Sequence, residues 1–246
     1  MHATGGSTNH LLHIPAMAAA AGIKILWEDF EQLSKLIPLI ARIYPNGNAD
    51  VNDFHKAGGM AFIFQELINE GMLDTSAKTS WGHNISEAYD APFLKGSEMV
   101  VMSDTVESSD LNILRPVSNP FRKTGGIRVL KGNLGKSIIK VSAVESENLK
   151  VSAPAMVFNS QSDVKAAFAA GLLDQDVVVV VRGQGPRANG MPELHSLTPV
   201  LSVVQERGFQ VALITDGRMS GASGKIPAAI HLYPEACENG PINKIK

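Results

Sequence analysis

Two polar stretches hold the residue types that do chemistry. The first runs from Val211 to His231 and reads VALITDGRMSGASGKIPAAIH. Val211 to Ile214 is a short apolar run with the character of a buried strand. Thr215-Asp216-Gly217 reads as a turn, and Ile226 to Ile230 returns to apolar residues. Between them lie Arg218, Ser220, Gly221, Ser223, Gly224 and Lys225. Gly217, Gly221 and Gly224 let the backbone turn sharply and lie close to a ligand. Hydroxyls, a guanidinium and an ammonium in one loop suit a small anion. An ordinary surface loop has the same look, because glycine-rich patterns also match by chance.

The second stretch is Arg182 to Thr198, RGQGPRANGMPELHSLT, directly after the apolar run Val177 to Val181. Gly183, Gly185, Pro186 and Gly190 constrain the loop. Arg182, Arg187 and Asn189 supply donors, and Glu193 and His195 are ionisable. Loops that leave a buried strand are common homes for binding residues. Glu193 reads equally as a carboxylate at a helix N-terminus, favoured by the dipole, or as a metal ligand. His195 reads as a helix-face histidine in solvent or in a hydrogen bond. Glu193 and Ser220 stand 27 residues apart, with one helix and one strand between them. If the two strands are neighbours, the carboxylate and the hydroxyl converge. Such a pair could hold a divalent metal and act on a carbon acid. Serine is a weak base unless a positive charge stabilises its alkoxide.

The elements that must position these loops follow from composition and pattern. At 246 residues the chain has room for one large domain or two small ones, and 44% hydrophobic residues can fill a core. A formal charge of −2 gives no global attraction to nucleic acid. No apolar run approaches the ~20 residues of a membrane span. The start, MHATGGSTNH, lacks the basic and apolar regions of a secretion signal, so a cytoplasmic protein is expected. Cys237 is the sole cysteine; it cannot close an internal disulfide and cannot by itself hold zinc or an iron–sulfur cluster.

Thr4 to Ile23 reads as a glycine turn, a Ser/Thr/Asn cap and an Ala-rich helix, with Pro15 near its first turn or at a kink. Helical periodicity runs from Trp27 to Tyr44, interrupted by Pro38, and again from Asp53 to Leu73, with a break or close packing point at Gly58-Gly59. A short helix is expected around Ile85 to Tyr89, and a strand or turn at Met99 to Met102. After Asp110 the pattern changes to short β-branched runs: Ile127–Leu130, Ser137–Val144, Ala155–Asn159, Val177–Val181 and Val211–Ile214. Ser162–Leu173 and Leu197–Arg207 are helices between them. The expected fold class is α/β plus β, with a boundary near residue 110 between a helical part and a β-rich part.

TDGRMSGASGK, GQGPRANGMPELH, GGSTNH and LRPVSNPFRKTGGIRVLKGNLG together resemble the dehydratases of dihydroxy acids and sugar acids. The likeness runs from Thr4 to the last residues, and Met219 and Ala188-Asn189-Gly190 resemble the 6-phosphogluconate branch. The resemblance implies removal of water from 6-phospho-D-gluconate, a step of the Entner–Doudoroff pathway. It implies a 4Fe-4S cluster, whose ligands are absent from this chain, and a divalent metal, commonly magnesium. It puts the base for the C2 proton on Ser220 and a metal ligand on Glu193. Arg187, Asn189, Arg218, Ser223 and Lys225 are then candidate substrate-binding residues, with Arg187, Ser223 and Lys225 assigned to the phosphate. It also implies that residues 1–110 are the helical tail of an N-terminal α/β domain and that 111–246 form a β-barrel-like C-terminal domain. A homodimer is expected for the full-length protein.

Read this way the chain is a fragment, expected to be inactive alone. Two other readings stay open: a dehydratase of another sugar acid or dihydroxy acid, and a non-catalytic module that binds sugar acids.

Overall fold

The structure, a computed structural model, describes residues 1–44, 46–79, 84–85, 92–95, 97–101, 106–142, 144–220 and 226–246. The chain forms two compact units. One comprises Met1, residues 6–34 and residues 126–246; the other comprises residues 2–5 and 35–125.

The second of these is built on helices α3 (Val51–Lys56) and α4 (Gly59–Asn69) and a hairpin of β1 (Pro92–Lys95) and β2 (Glu98–Val101). Asp50 caps α3, accepting the Asn52 and Asp53 N–H groups, while Asp53 returns a carboxylate to the Asp50 N–H. This reciprocal pairing satisfies donors that the first turn leaves open. The expected break at Gly58-Gly59 separates α3 from α4. Phe54, Phe62, Ile63 and Leu67 close over Ile40, Ala41 and Leu114 in one core. The expected helix at residues 85–89 falls largely outside the described residues.

The other unit begins with α1 (His10–Ala20) and α2 (Trp27–Leu36). The helix read as Trp27 to Tyr44 ends at Leu36, two residues before Pro38. Proline pushes the residue before it out of helical geometry. Beyond it Leu39 and Ala41 make isolated bridges to Arg122 and Leu114, so this apolar run is extended.

Among the described residues six strands then join in the order β3-β4-β8-β7-β6-β5. They are β3 (Ile127–Gly132), β4 (Gly135–Lys140), β5 (Ala155–Phe158), β6 (Val177–Val181), β7 (Val211–Thr215) and β8 (Ala228–Tyr233). Strands β5 to β8 are parallel, and β4 pairs antiparallel with both β8 and β3. Helices α5 (Gln161–Ala169), α6 (Pro186–Asn189) and α7 (Leu197–Glu206) lie between the parallel strands in sequence. The β6 valines alternate between two cores. Val177, Val179 and Val181 join Val164 of α5 and Leu201 of α7, whereas Val178 and Val180 join Leu232 and Ile242. An all-apolar strand is thus covered on both faces.

The fold is mixed α/β, and this sheet is open where a barrel-like domain was expected. Strands β3 and β5 are its two borders and do not pair with each other. The strand residues cannot reveal this, since closure depends on tilt and stagger across the whole sheet. No helix among the described residues is long and apolar enough to cross a membrane.

Candidate active site

Strands β6 and β7 run in register, with Val181 opposite Thr215. The two polar stretches therefore leave the sheet side by side, as the open ends of adjacent parallel strands require. Asp216 follows β7 and is 1% exposed. Its carboxylate accepts the N–H groups of Gly183 at 3.1 Å, Gln184 at 2.8 Å and Ala236 at 2.9 Å. One side chain thus ties together the two polar loops and the segment after β8.

Gly217 has no room for a larger residue. A Cβ there would lie 2.8 Å from Gln184 Cβ and 2.9 Å from Leu194 Cδ1. Further along, the buried carboxylate of Glu235 accepts the N–H groups of Arg187 and Ala188, each at 3.2 Å, and so fixes the short helix α6. Arg187 and Asn189 are exposed on that helix, and the Asn189 side-chain amide donates to Gln184 Oε1 at 3.2 Å.

Glu193 and Ser220 come together. Glu193 Oε1 accepts the Ser220 backbone N–H at 2.7 Å, and Glu193 Oε2 accepts Arg218 Nη1 at 2.7 Å. Arg218 Nε also donates to Met191 O at 2.8 Å. The two loops meet in a parallel bridge between Glu193 and Arg218, with the Leu194 N–H donating to Arg218 O at 3.0 Å. The ion pair is partly enclosed, its side chains 29% and 30% exposed. The next residue, Met219, is fully buried. Its carbonyl accepts the Thr8 hydroxyl at 2.9 Å, and its sulfur lies 3.4 Å from the Thr198 hydroxyl. Ser220 is therefore a half-buried residue on a backbone fixed from both sides.

His231, on β8, is 3% exposed and donates its backbone N–H to Gly217 O at 2.9 Å. Burial, and then the positive charge of Arg218, push its imidazole down to about 3. His195 is exposed. Ser223 and Lys225 lie outside the described residues.

Among the described residues no group of three or more His, Cys, Asp or Glu could hold a metal. Glu193 fits a divalent ion as one ligand, because each carboxylate oxygen already used once keeps a lone pair. Cys237 is exposed, and the sole cysteine cannot form a cluster's ligand set.

Sequence reading found Glu193, Arg218 and Ser220 but took Asp216 only for part of a turn, and it missed Glu235 and His231. Position at a strand end was an available signal for Asp216. Glu235 carries no local signal, since its partners lie 47 and 48 residues away.

Two family descriptions match the chain. Residues 112–246 match the C-terminal description of the dihydroxy-acid/6-phosphogluconate dehydratases, and residues 1–88 match the N-terminal one. The chain is 54% identical over 244 residues to the phosphogluconate dehydratase of Zymomonas mobilis, covering 99% of this chain and 40% of that protein. It is 53% identical over 248 residues to that of Rhizobium meliloti, covering 100% of this chain and 41% of that protein. The dihydroxy-acid dehydratase of Sulfurisphaera tokodaii is 38% identical over 246 residues, covering 98% of this chain and 41% of that protein. The chain thus spans about two fifths of the length of these relatives. On its motifs and on these matches, the chain belongs to the dihydroxy-acid/6-phosphogluconate dehydratase family.

Proposed function

We propose that this chain forms part of a hydro-lyase that dehydrates 6-phospho-D-gluconate to 2-dehydro-3-deoxy-6-phosphogluconate in the Entner–Doudoroff pathway. The observation that carries the reading is the meeting of Glu193, Arg218 and Ser220 within two hydrogen bonds of 2.7 Å. The choice of a phosphorylated acid is supported by 54% identity to a phosphogluconate dehydratase, against 38% to a dihydroxy-acid dehydratase.

Ser220 Oγ, as the alkoxide, takes the C2 proton; the C3–O bond breaks with its electron pair on oxygen, the hydroxide takes up a proton and leaves as water, and the resulting enol tautomerises to the 2-keto acid. Glu193 is a ligand to a divalent metal, magnesium in this reading. When bound at Glu193, that metal would supply Lewis-acid stabilisation at the carboxylate end; a 4Fe-4S cluster, whose ligands this chain does not hold, would supply it at the departing hydroxyl. The chain's own contribution is orientation. The buried Met219 and its hydroxyl partners hold the Ser220 backbone, and Arg218 aims the Glu193 carboxylate. Arg187, Asn189, Ser223 and Lys225 receive the phosphate and polyol end. Arg218 is the weakest of the substrate-binding assignments, since two of its donors already serve Glu193 and Met191.

The match ranges 1–88 and 112–246 support a division near residue 110, with residues 1–110 ending an N-terminal domain. A cytoplasmic homodimer completes the proposal. Ser220→Ala in the full-length enzyme tests the base: kcat should fall by about 10²–10⁴-fold. An unchanged kcat would remove Ser220 from the chemistry, and a preference for unphosphorylated gluconate would remove the phosphate assignment.

A further inference from the structure

The stretch LRPVSNPFRKTGGIRVLKGNLG has no part in the proposed chemistry. Its segment Arg115 to Lys123 holds three cationic residues and no acidic one. The backbone here is fixed. Leu39 bridges to Arg122 and Ala41 to Leu114. The Arg42 N–H donates to Ile113 O at 2.8 Å, the Arg115 N–H to Ile40 O at 2.9 Å and the Phe121 N–H to Leu39 O at 2.9 Å. These contacts gather two arginines at one aromatic ring. Arg115 Cζ lies 4.3 Å and Arg42 Cζ 5.6 Å from the centre of Phe121. The ring face attracts each cation, but the two cations repel each other. Arg115 Nε donates to Leu111 O at 2.9 Å and Arg42 Nε to Asn46 O at 3.4 Å, which leaves the Nη groups of both without a partner among the described residues. The carboxylate that does touch this segment, Glu66 of α4, accepts the Val117 N–H at 2.8 Å and pairs with neither arginine. Other stacked cations of the described residues are neutralised. Arg207 over Phe168 pairs with Asp174, and Lys136 over Trp27 pairs with Glu28.

We propose that Arg42 and Arg115, held against Phe121, form a binding site for a phosphate dianion. A phosphate carries close to two negative charges and three acceptor oxygens, enough for two guanidinium forks. A carboxylate brings one charge and satisfies one fork. Arginine suits the task because its charge is permanent and its donors are planar and fixed. The site lies within the unit of residues 2–5 and 35–125, and it is additional to the phosphate contacts assigned to Arg187, Ser223 and Lys225. Two sources share this chemistry: free phosphate and a phosphorylated sugar acid. The second rests on the dehydratase reading, and the site itself does not.

The test follows the side-chain Nε–H signals of the ¹⁵N-labelled 246-residue chain during titration with inorganic phosphate, the ionic strength held constant with chloride. Loss of one signal in Arg42→Gln and of another in Arg115→Gln assigns the pair. Both should shift along one saturating curve, whereas Arg207, already paired with Asp174, should not follow it. Either variant should weaken phosphate binding about tenfold or more. Parallel titrations with 6-phosphogluconate and gluconate identify the source. Tighter binding of 6-phosphogluconate than of phosphate supports a sugar-acid ligand, and equal binding supports the free ion. Signals moved by gluconate but not by phosphate would overturn the choice of anion. Arg42 and Arg115 signals that move no more than that of Arg207 would overturn the site, as would unchanged affinity in the variants. If Arg115→Gln does not fold, the exposed Arg42→Gln decides by the same measure. The Ser220→Ala kinetics bear on the dehydratase reading alone, so the two can fail separately.

Discussion

Two ends of one sheet are held by carboxylates in opposite settings. Beyond β7, Asp216 is 1% exposed and collects three backbone N–H groups from two other segments. Beside the β3–β4 hairpin, Glu28 is a third exposed and pairs with Lys131 at 3.2 Å and with Lys136. The hydrogen bond from Lys136 is the main reason its carboxyl is held down at about 2. The comparison separates charge from architecture. Glu28 meets side-chain ammonium groups within reach of water, and such pairs contribute little because water competes for both charges. Asp216 meets fixed backbone donors that would otherwise be buried and unmatched. The loops bearing Glu193 and Ser220 are anchored by the second kind of contact.

The largest expected effect is at Asp216. Asp216→Ala strands its backbone donors at about 1–3 kcal/mol each, so the chain should lose about 3 kcal/mol or more. A urea melt reads this as a fall in midpoint at constant slope. A loss no greater than that of a Glu28 variant would end the distinction drawn here.

Next comes pH. The ordinary histidine value is 6.5, and folded His231 is pushed to about 3. Below 6.5 the unfolded chain takes up a proton that the folded chain refuses. Stability is therefore full above that point and falls with acidification, by about 2 kcal/mol near pH 5. His2 is lowered in the same direction, so His231→Asn should reduce this slope rather than abolish it. Melts at a series of pH values would show a slope unaffected by the substitution if burial of His231 is not the cause. The smallest effect is Glu28→Gln, for which no resolvable shift of the urea midpoint is expected.

What the sequence made legible was local. Val177–Val181 and Val211–Ile214 announce strands because β-branched residues suit a pleated, covered surface. The spacing of Glu193 and Ser220 then predicts their meeting once those strands are neighbours. Strand β8 was not recognised as a strand, since AAIHLY mixes alanine with a histidine and shows no clean alternation. The helix from Trp27 was read too long because the apolar residues beyond Pro38 also suit an extended, buried segment. Asp216 and Glu235 were missed for a different reason: what defines them is which distant backbone donors they face, and that is a property of the folded chain alone.

The two unpaired borders of the sheet differ in a way that bears on how the molecule behaves at high concentration. On β3 the N–H groups of Ile127 and Val129 are already taken by Ser34 Oγ and Glu31 Oε1 of α2, and strand β5 is only four residues long. Occupied donors on one rim and brevity on the other both discourage a second sheet from adding its strands.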